Sequence, residues 1–89
     1  MYTINPKILQ TPIADNNILL LEPDAGLYFE LNETSVLIYQ AMADGLEIKE
    51  ILDKLTGEYQ ISLLDAQADM TALIKQLLDN NIISSIKEA

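Results

Sequence analysis

Ile18-Leu19-Leu20-Leu21-Glu22, then Pro23-Asp24-Ala25-Gly26, then Leu27-Tyr28-Phe29-Glu30-Leu31 and Asn32 form the stretch whose reading decides the fold. Two short runs of apolar residues flank a four-residue breaker. Pro presets φ, Asp bonds readily to nearby backbone, and Gly accepts a positive φ, so the breaker predicts a hairpin. In the second run Leu27, Phe29 and Leu31 share one face while Tyr28 and Glu30 share the other, the two-residue period of a half-buried strand. Upstream, Ile8 to Ile13 is a further β-tolerant run, which brings the expected sheet to three antiparallel strands.

The hydrophobic period changes at Asn32. Ser35, Ile38, Tyr39 and Met42 follow helical spacing between Asn32 as N-cap and Gly45 as C-terminal stop, which predicts a helix over about 33–43. Ile48, Ile51, Leu52 and Leu55 repeat the spacing, with Gly57 at the expected end. This second helix is expected to be poorly capped, because Leu46 has no side-chain acceptor. For the third, Ser62 and Asp65 resemble a capping box, and Ile61 with Ala66 the accompanying apolar staple. Its buried stripe is Ala66, Met70, Leu73, Ile74 and Leu77, ending at Asn80-Asn81. The tail Ile82 to Ile86 is expected to add a short strand or a docked extension. The fold class is therefore α+β: an N-terminal three-stranded antiparallel sheet followed by three helices, with a winged helix-turn-helix-like order.

Length and composition set outer bounds. The 89 residues suffice for a single domain over 1–89 with one small core, and 49% hydrophobic content argues for a folded chain. Fourteen acidic residues stand against five lysines, with no arginine or histidine, giving a formal charge of −9. That charge repels phosphate backbones and anionic lipid headgroups, so neither nucleic acid nor membrane is the expected partner. There is no cysteine, no signal-peptide pattern at Met1-Tyr2-Thr3-Ile4-Asn5-Pro6, and no apolar run of membrane-spanning length. A cytoplasmic location is the expectation.

Short motifs add little chemistry. Asn32-Glu33-Thr34 fits a glycosylation sequon but serves better as a helix start, and Asp15-Asn16-Asn17 lacks the glycine and distal acidic ligand of a calcium loop. No metal or cofactor is expected. Ser62-Leu63 resembles the modified serine of an acyl carrier, yet Gln60-Ile61 precede it where an acidic residue belongs, and the first third is strand-rich. Asp65 and Asp69 lie one turn apart, the spacing of an acid–base pair, but the helix macrodipole accounts for acidic residues near a helix start. No catalytic residue is assigned, and no enzyme activity is expected. The helix-turn-helix order also admits a winged-helix regulatory or protein-interaction domain, although the exposed positions of the third helix include a single basic residue, Lys75.

Taken in order, the hairpin Leu19-Leu20-Leu21-Glu22 through Leu27-Tyr28-Phe29-Glu30-Leu31, then Leu31-Asn32-Glu33-Thr34, Tyr39, Ile48-Lys49-Glu50-Ile51 with Leu55 and Tyr59, and Ala68-Asp69-Met70 with Leu73 and Leu77 resemble the PqqD-like family over about residues 17–83. Tyr39 stands where that family often has Trp, Asn81 where it often has Gly, and the usual hydroxyl cap before the second helix is missing. The resemblance implies a non-catalytic domain that binds the leader segment of a ribosomally made precursor peptide and presents it to a modifying enzyme such as a radical SAM enzyme, a cyclase or a peptidase. It further implies that the leader joins an open sheet edge as an added strand. The expected edge is Leu27, Tyr28, Phe29, Glu30 and Leu31, which contains no proline. The expected groove floor is Leu64, Ala68, Thr71, Ala72, Lys75 and Leu78 on the third helix, with small residues at 68 and 72 admitting a peptide backbone. An open edge can also pair with a second copy, which leaves a homodimer open.

Overall fold

The computed structural model describes residues 2–85; Ile86, the last residue of the expected tail extension, lies outside them. Strands β1 (Tyr2–Ile4), β2 (Leu9–Pro12), β3 (Ile18–Glu22) and β4 (Leu27–Leu31) precede helices α1 (Glu33–Ala43), α2 (Ile48–Glu58) and α3 (Leu63–Asp79), and β5 (Ile83–Ser85) follows. The three expected strands form one antiparallel sheet in the order β2-β3-β4. Leu20 sits opposite both Gln10 and Phe29, and Ile18 opposite both Pro12 and Leu31. With a period of two, Ile18, Leu20, Glu22, Phe29 and Leu31 therefore face the helices, while Leu9, Leu19, Leu21, Tyr28 and Glu30 face outward.

The turn between β3 and β4 has a different clasp from the expected one. Gly26 takes the expected positive φ, +67°, but the acceptor is Glu22. Glu22 is 5% exposed, and its carboxylate accepts the backbone N–H groups of Asp24 at 3.1 Å and Ala25 at 2.6 Å. A buried carboxylate is tolerable only when so bonded. Asp24 instead holds Lys7 at 3.3 Å on the surface. The β2–β3 connection is a short 3-10 turn, Ala14–Asn16, in which Asp15 and Asn16 both have positive φ.

Helix ends are capped where the sequence places the caps, with one correction. Asn32 Oδ1 accepts from Ser35 N–H at 2.9 Å, and Ser62 Oγ accepts from Asp65 N–H at 3.1 Å. The α2 start is better capped than expected. Its N-cap is Glu47, one residue later than Leu46, and Glu50 Oε1 accepts from the Glu47 N–H at 3.2 Å. Helix α2 also runs through Gly57 to Glu58. At the end of α1, Leu46 N–H reaches the Ala41 carbonyl and Gly45 N–H the Met42 carbonyl, a Schellman pair with Gly45 at φ +81°. The end of α3 repeats this pair, Ile82 to Leu77 and Asn81 to Leu78, with Asn81 taking the left-handed position at φ +59°. Asn is the usual substitute for Gly there.

The core lies between the inner sheet face and the three helices: Leu20, Leu31, Ile38, Ile51, Leu55 and Leu77 are all buried. The five stripe residues expected on α3 are buried without exception. In α2 only Ile51 and Leu55 are buried, and Ile48 is nearly half exposed. The tail extension appears as β5, paired with a strand that the sequence does not announce. Tyr2, Thr3 and Ile4 pair antiparallel with Ser85, Ser84 and Ile83, so a second, two-stranded sheet closes the domain beside α1 and α3.

Candidate functional site

Strand β4 is an edge. Among the described residues its one strand neighbour is β3, so about half of its backbone N–H and C=O groups point away from the sheet. Along it burial rises toward the C-terminus: Leu27 is 39% exposed, Phe29 half-buried and Leu31 buried. On the outer face Tyr28 is 65% exposed and Glu30 is exposed, with Asn17 Nδ2 at 3.5 Å from Glu30 Oε1. The five expected edge residues therefore lie together on a strand with a free side.

Helix α3 comes near the end of this strand at Asn32, the residue after it. A depression of about 260 Å³ begins at Asn32, the residue that follows β4, and is lined by Thr34, Ser35 and Ile38 of α1 and Asp69, Ala72, Leu73 and Gln76 of α3. Five of its eight lining residues are polar, and Ile38, Ala72 and Leu73 are apolar. Here the Asn32 cap turns the chain from strand into helix, and Ala72, with no side chain beyond Cβ, leaves the α3 wall low.

Of the six helix positions expected to floor the groove, Ala72 is the one that lines this depression. Thr71, Lys75 and Leu78 line another depression of about 310 Å³ on the other flank of α3, with Tyr2 and Ile48. There Lys75 Nζ lies 3.0 Å from Asp79 in an exposed i,i+4 pair. Leu64 is 78% exposed near the start of α3, and Ala68 is exposed. Sequence reasoning does not select Asp69, Leu73 and Gln76 for the groove. A signal is present all the same: positions 69, 72, 73 and 76 follow i, i+3, i+4, i+7 spacing on the flank next to the core stripe.

Ionisable groups are dispersed. Tyr59 and Glu33 share a depression between α1 and α2, where loss of hydration, and then the charge and hydrogen bonding of Glu33, hold the phenol pKa above its ordinary value. Burial raises that of Tyr39 in the core. Among the described residues no three His, Cys, Asp or Glu side chains converge as metal ligands would, and no helix is long and apolar enough to cross a membrane.

Comparison with known proteins finds likeness over nearly the whole chain. A solved structure of lasso peptide synthetase B1 complexed with the leader peptide is 30% identical, with a TM-score of 0.83 over 94% of this chain and 98% of that one. The structure of TbiB1 in complex with the TbiA(beta) leader peptide is 21% identical with a TM-score of 0.82, over 97% and 99%, and shows likeness of fold. No curated protein sequence matches. The family described as coenzyme PQQ synthesis protein D (PqqD) matches residues 17–83, from the start of the β3–β4 hairpin through the three helices into β5. With that match spanning the sheet edge, the Asn32 turn and the flank of α3, the chain belongs to the PqqD family.

Proposed function

We propose that this chain is a non-catalytic module that binds the leader segment of a ribosomally made precursor peptide by strand addition at β4 and presents it to a modifying enzyme. One observation carries the proposal: a proline-free edge strand, open on one side among the described residues, leads at Asn32 into a depression bounded by α1 and α3 whose apolar lining is Ile38, Ala72 and Leu73. The 30% identical structure, which holds a leader peptide, supports it. A peptide laid along β4 would complete about five ladder bonds, worth ~1 kcal/mol net each before association costs. Micromolar affinity requires about 8 kcal/mol, so the ladder alone falls short. The depression beside Ala72 offers the missing anchor, with room for one large apolar side chain of the leader pointing inward.

In this arrangement Leu27, Tyr28, Phe29, Glu30 and Leu31 supply the ladder, and Ala72 with Asp69, Leu73 and Gln76 supplies the helical wall. Leu64, Ala68, Thr71, Lys75 and Leu78 fall outside the groove and are free to face the enzyme. Titrating the 15N-labelled domain with the leader peptide of a lasso peptide precursor, the ligand of the 30% identical structure, is the direct test. Amide shifts concentrated on Leu27–Leu31 and on residues 69–76 are expected. Shifts confined to the flank of Thr71, Lys75 and Leu78, or absent from β4, would refute strand addition at this edge.

A further inference from the structure

We infer that the bound strand is selected on the outer face of the sheet as well as in the groove, through an alternation of one apolar or aromatic residue beside Tyr28 and one lysine or arginine beside Glu30, two positions apart. The inference rests on strand addition at β4.

The reasoning begins with register. On the outer face Leu9, Leu21 and Tyr28 stand in one row across β2, β3 and β4, because Leu21 pairs with both neighbours. Leu9 is 57% exposed and Tyr28 is 65% exposed, so the row is an apolar stripe in solvent that ends at the open edge. A strand added to β4 extends that row by one side chain. Directly opposed side chains on one face are the unit of sheet stabilisation, and aromatic–aliphatic pairs are among the favourable ones.

The next row is Thr11, Leu19 and Glu30. Its edge position is a carboxylate. The ion pairs among the described residues are Lys7–Asp24 and Lys75–Asp79, so Glu30 enters neither, and its polar neighbour is the uncharged Asn17 amide at 3.5 Å. Like charges directly opposite are destabilising and unlike charges favourable. The depression wall adds Asp69 and contains no lysine. Side chains alternate along any added strand, so the residues beside Tyr28 and Glu30 both point outward while the one between them points toward the groove. The recognised sequence is therefore an apolar–x–basic pattern, readable in either chain direction.

The test uses a phage-displayed library of random 12-residue peptides, selected in parallel on the wild-type domain and on Glu30→Lys. Glu30 is exposed, and an unchanged circular dichroism spectrum would establish that the variant is folded. Wild-type selection should enrich Lys or Arg two positions from an apolar or aromatic residue, and Glu30→Lys should replace the basic residue by Asp or Glu while keeping the apolar one. One synthetic winner and its Lys→Glu counterpart, measured by fluorescence polarisation against both proteins, should each prefer the oppositely charged domain by about threefold, a preference that shrinks in high salt and in Glu30→Gln. If winners shift the Leu27–Leu31 amides but show no charge preference, or keep the same residue against Glu30→Lys, the register inference fails and strand addition stands. If no selected peptide shifts those amides, both fail.

Discussion

The sheet has two edges, and they differ in everything except their free hydrogen-bonding groups. Strand β2 exposes all four of its side chains, ends in Pro12, which has no N–H, and has its strand partner on one side. Strand β4 has no proline, sinks into the core at Leu31 and runs into a depression between two helices. An unpaired ladder alone is a liability that proteins blunt, commonly with proline. It becomes a binding site when a neighbouring wall supplies apolar contact and a fixed register. The domain blunts one edge and, in the proposed function, equips the other.

The largest expected effect treats the edges alike. Leu20 on the central strand is fully buried and underlies both. Leu20→Ala should cost about 2–5 kcal/mol in urea unfolding. The next separates them: Ala72→Phe fills the depression, should change stability by less than about 0.5 kcal/mol because the site is exposed, and should weaken leader binding at least about tenfold. Ala68→Phe, one turn earlier and outside the depression, should leave binding unchanged in the same calorimetric titration. Equal losses from both would show that the contact is not confined to the depression but extends one turn toward the start of α3.

A smaller effect distinguishes the two turns. Gly26 holds the β3–β4 turn at φ +67°, with no atom within 4 Å of the place a Cβ would occupy, so Gly26→Ala costs backbone strain alone, roughly 1 kcal/mol. Asp15→Gly in the β2–β3 turn should gain no more than about 0.5 kcal/mol, because glycine's freedom in the unfolded chain offsets the relief. Urea midpoints read both. Last, Pro12→Val restores a donor to the β2 edge. Calorimetric stoichiometry should stay at one peptide per chain; a second site of comparable affinity would show that the ladder suffices without a wall.

The difference between the edges is partly legible in the amino-acid sequence. Alternation in Leu27–Leu31 and the breaker at 23–26 are local signals, and they locate β4 and its exposed face. Asn32 and Ser62 announce their helices because short polar side chains reach the first-turn amides. Glu47 does not, since its cap works through a second glutamate three residues on and Glu is not a preferred N-cap. Strand β1 is illegible for a different reason. Three residues carry no usable period, and their partner β5 lies at the far end of the chain, Tyr2 against Ser85. The helical wall is half legible. Small residues draw attention to 68 and 72, but which flank of α3 faces the strand depends on where α1 packs, and helix periodicity alone does not fix that.

The Glu22 carboxylate, clamped on the amides of Asp24 and Ala25, gives the hairpin a tip that owes nothing to what lies alongside it. In the proposed strand addition β4 thus starts from a turn that is already fixed, and the loss of freedom falls chiefly on the incoming peptide. Cyclising that peptide in its extended form, more than remodelling the domain, is the direct route to tighter binding.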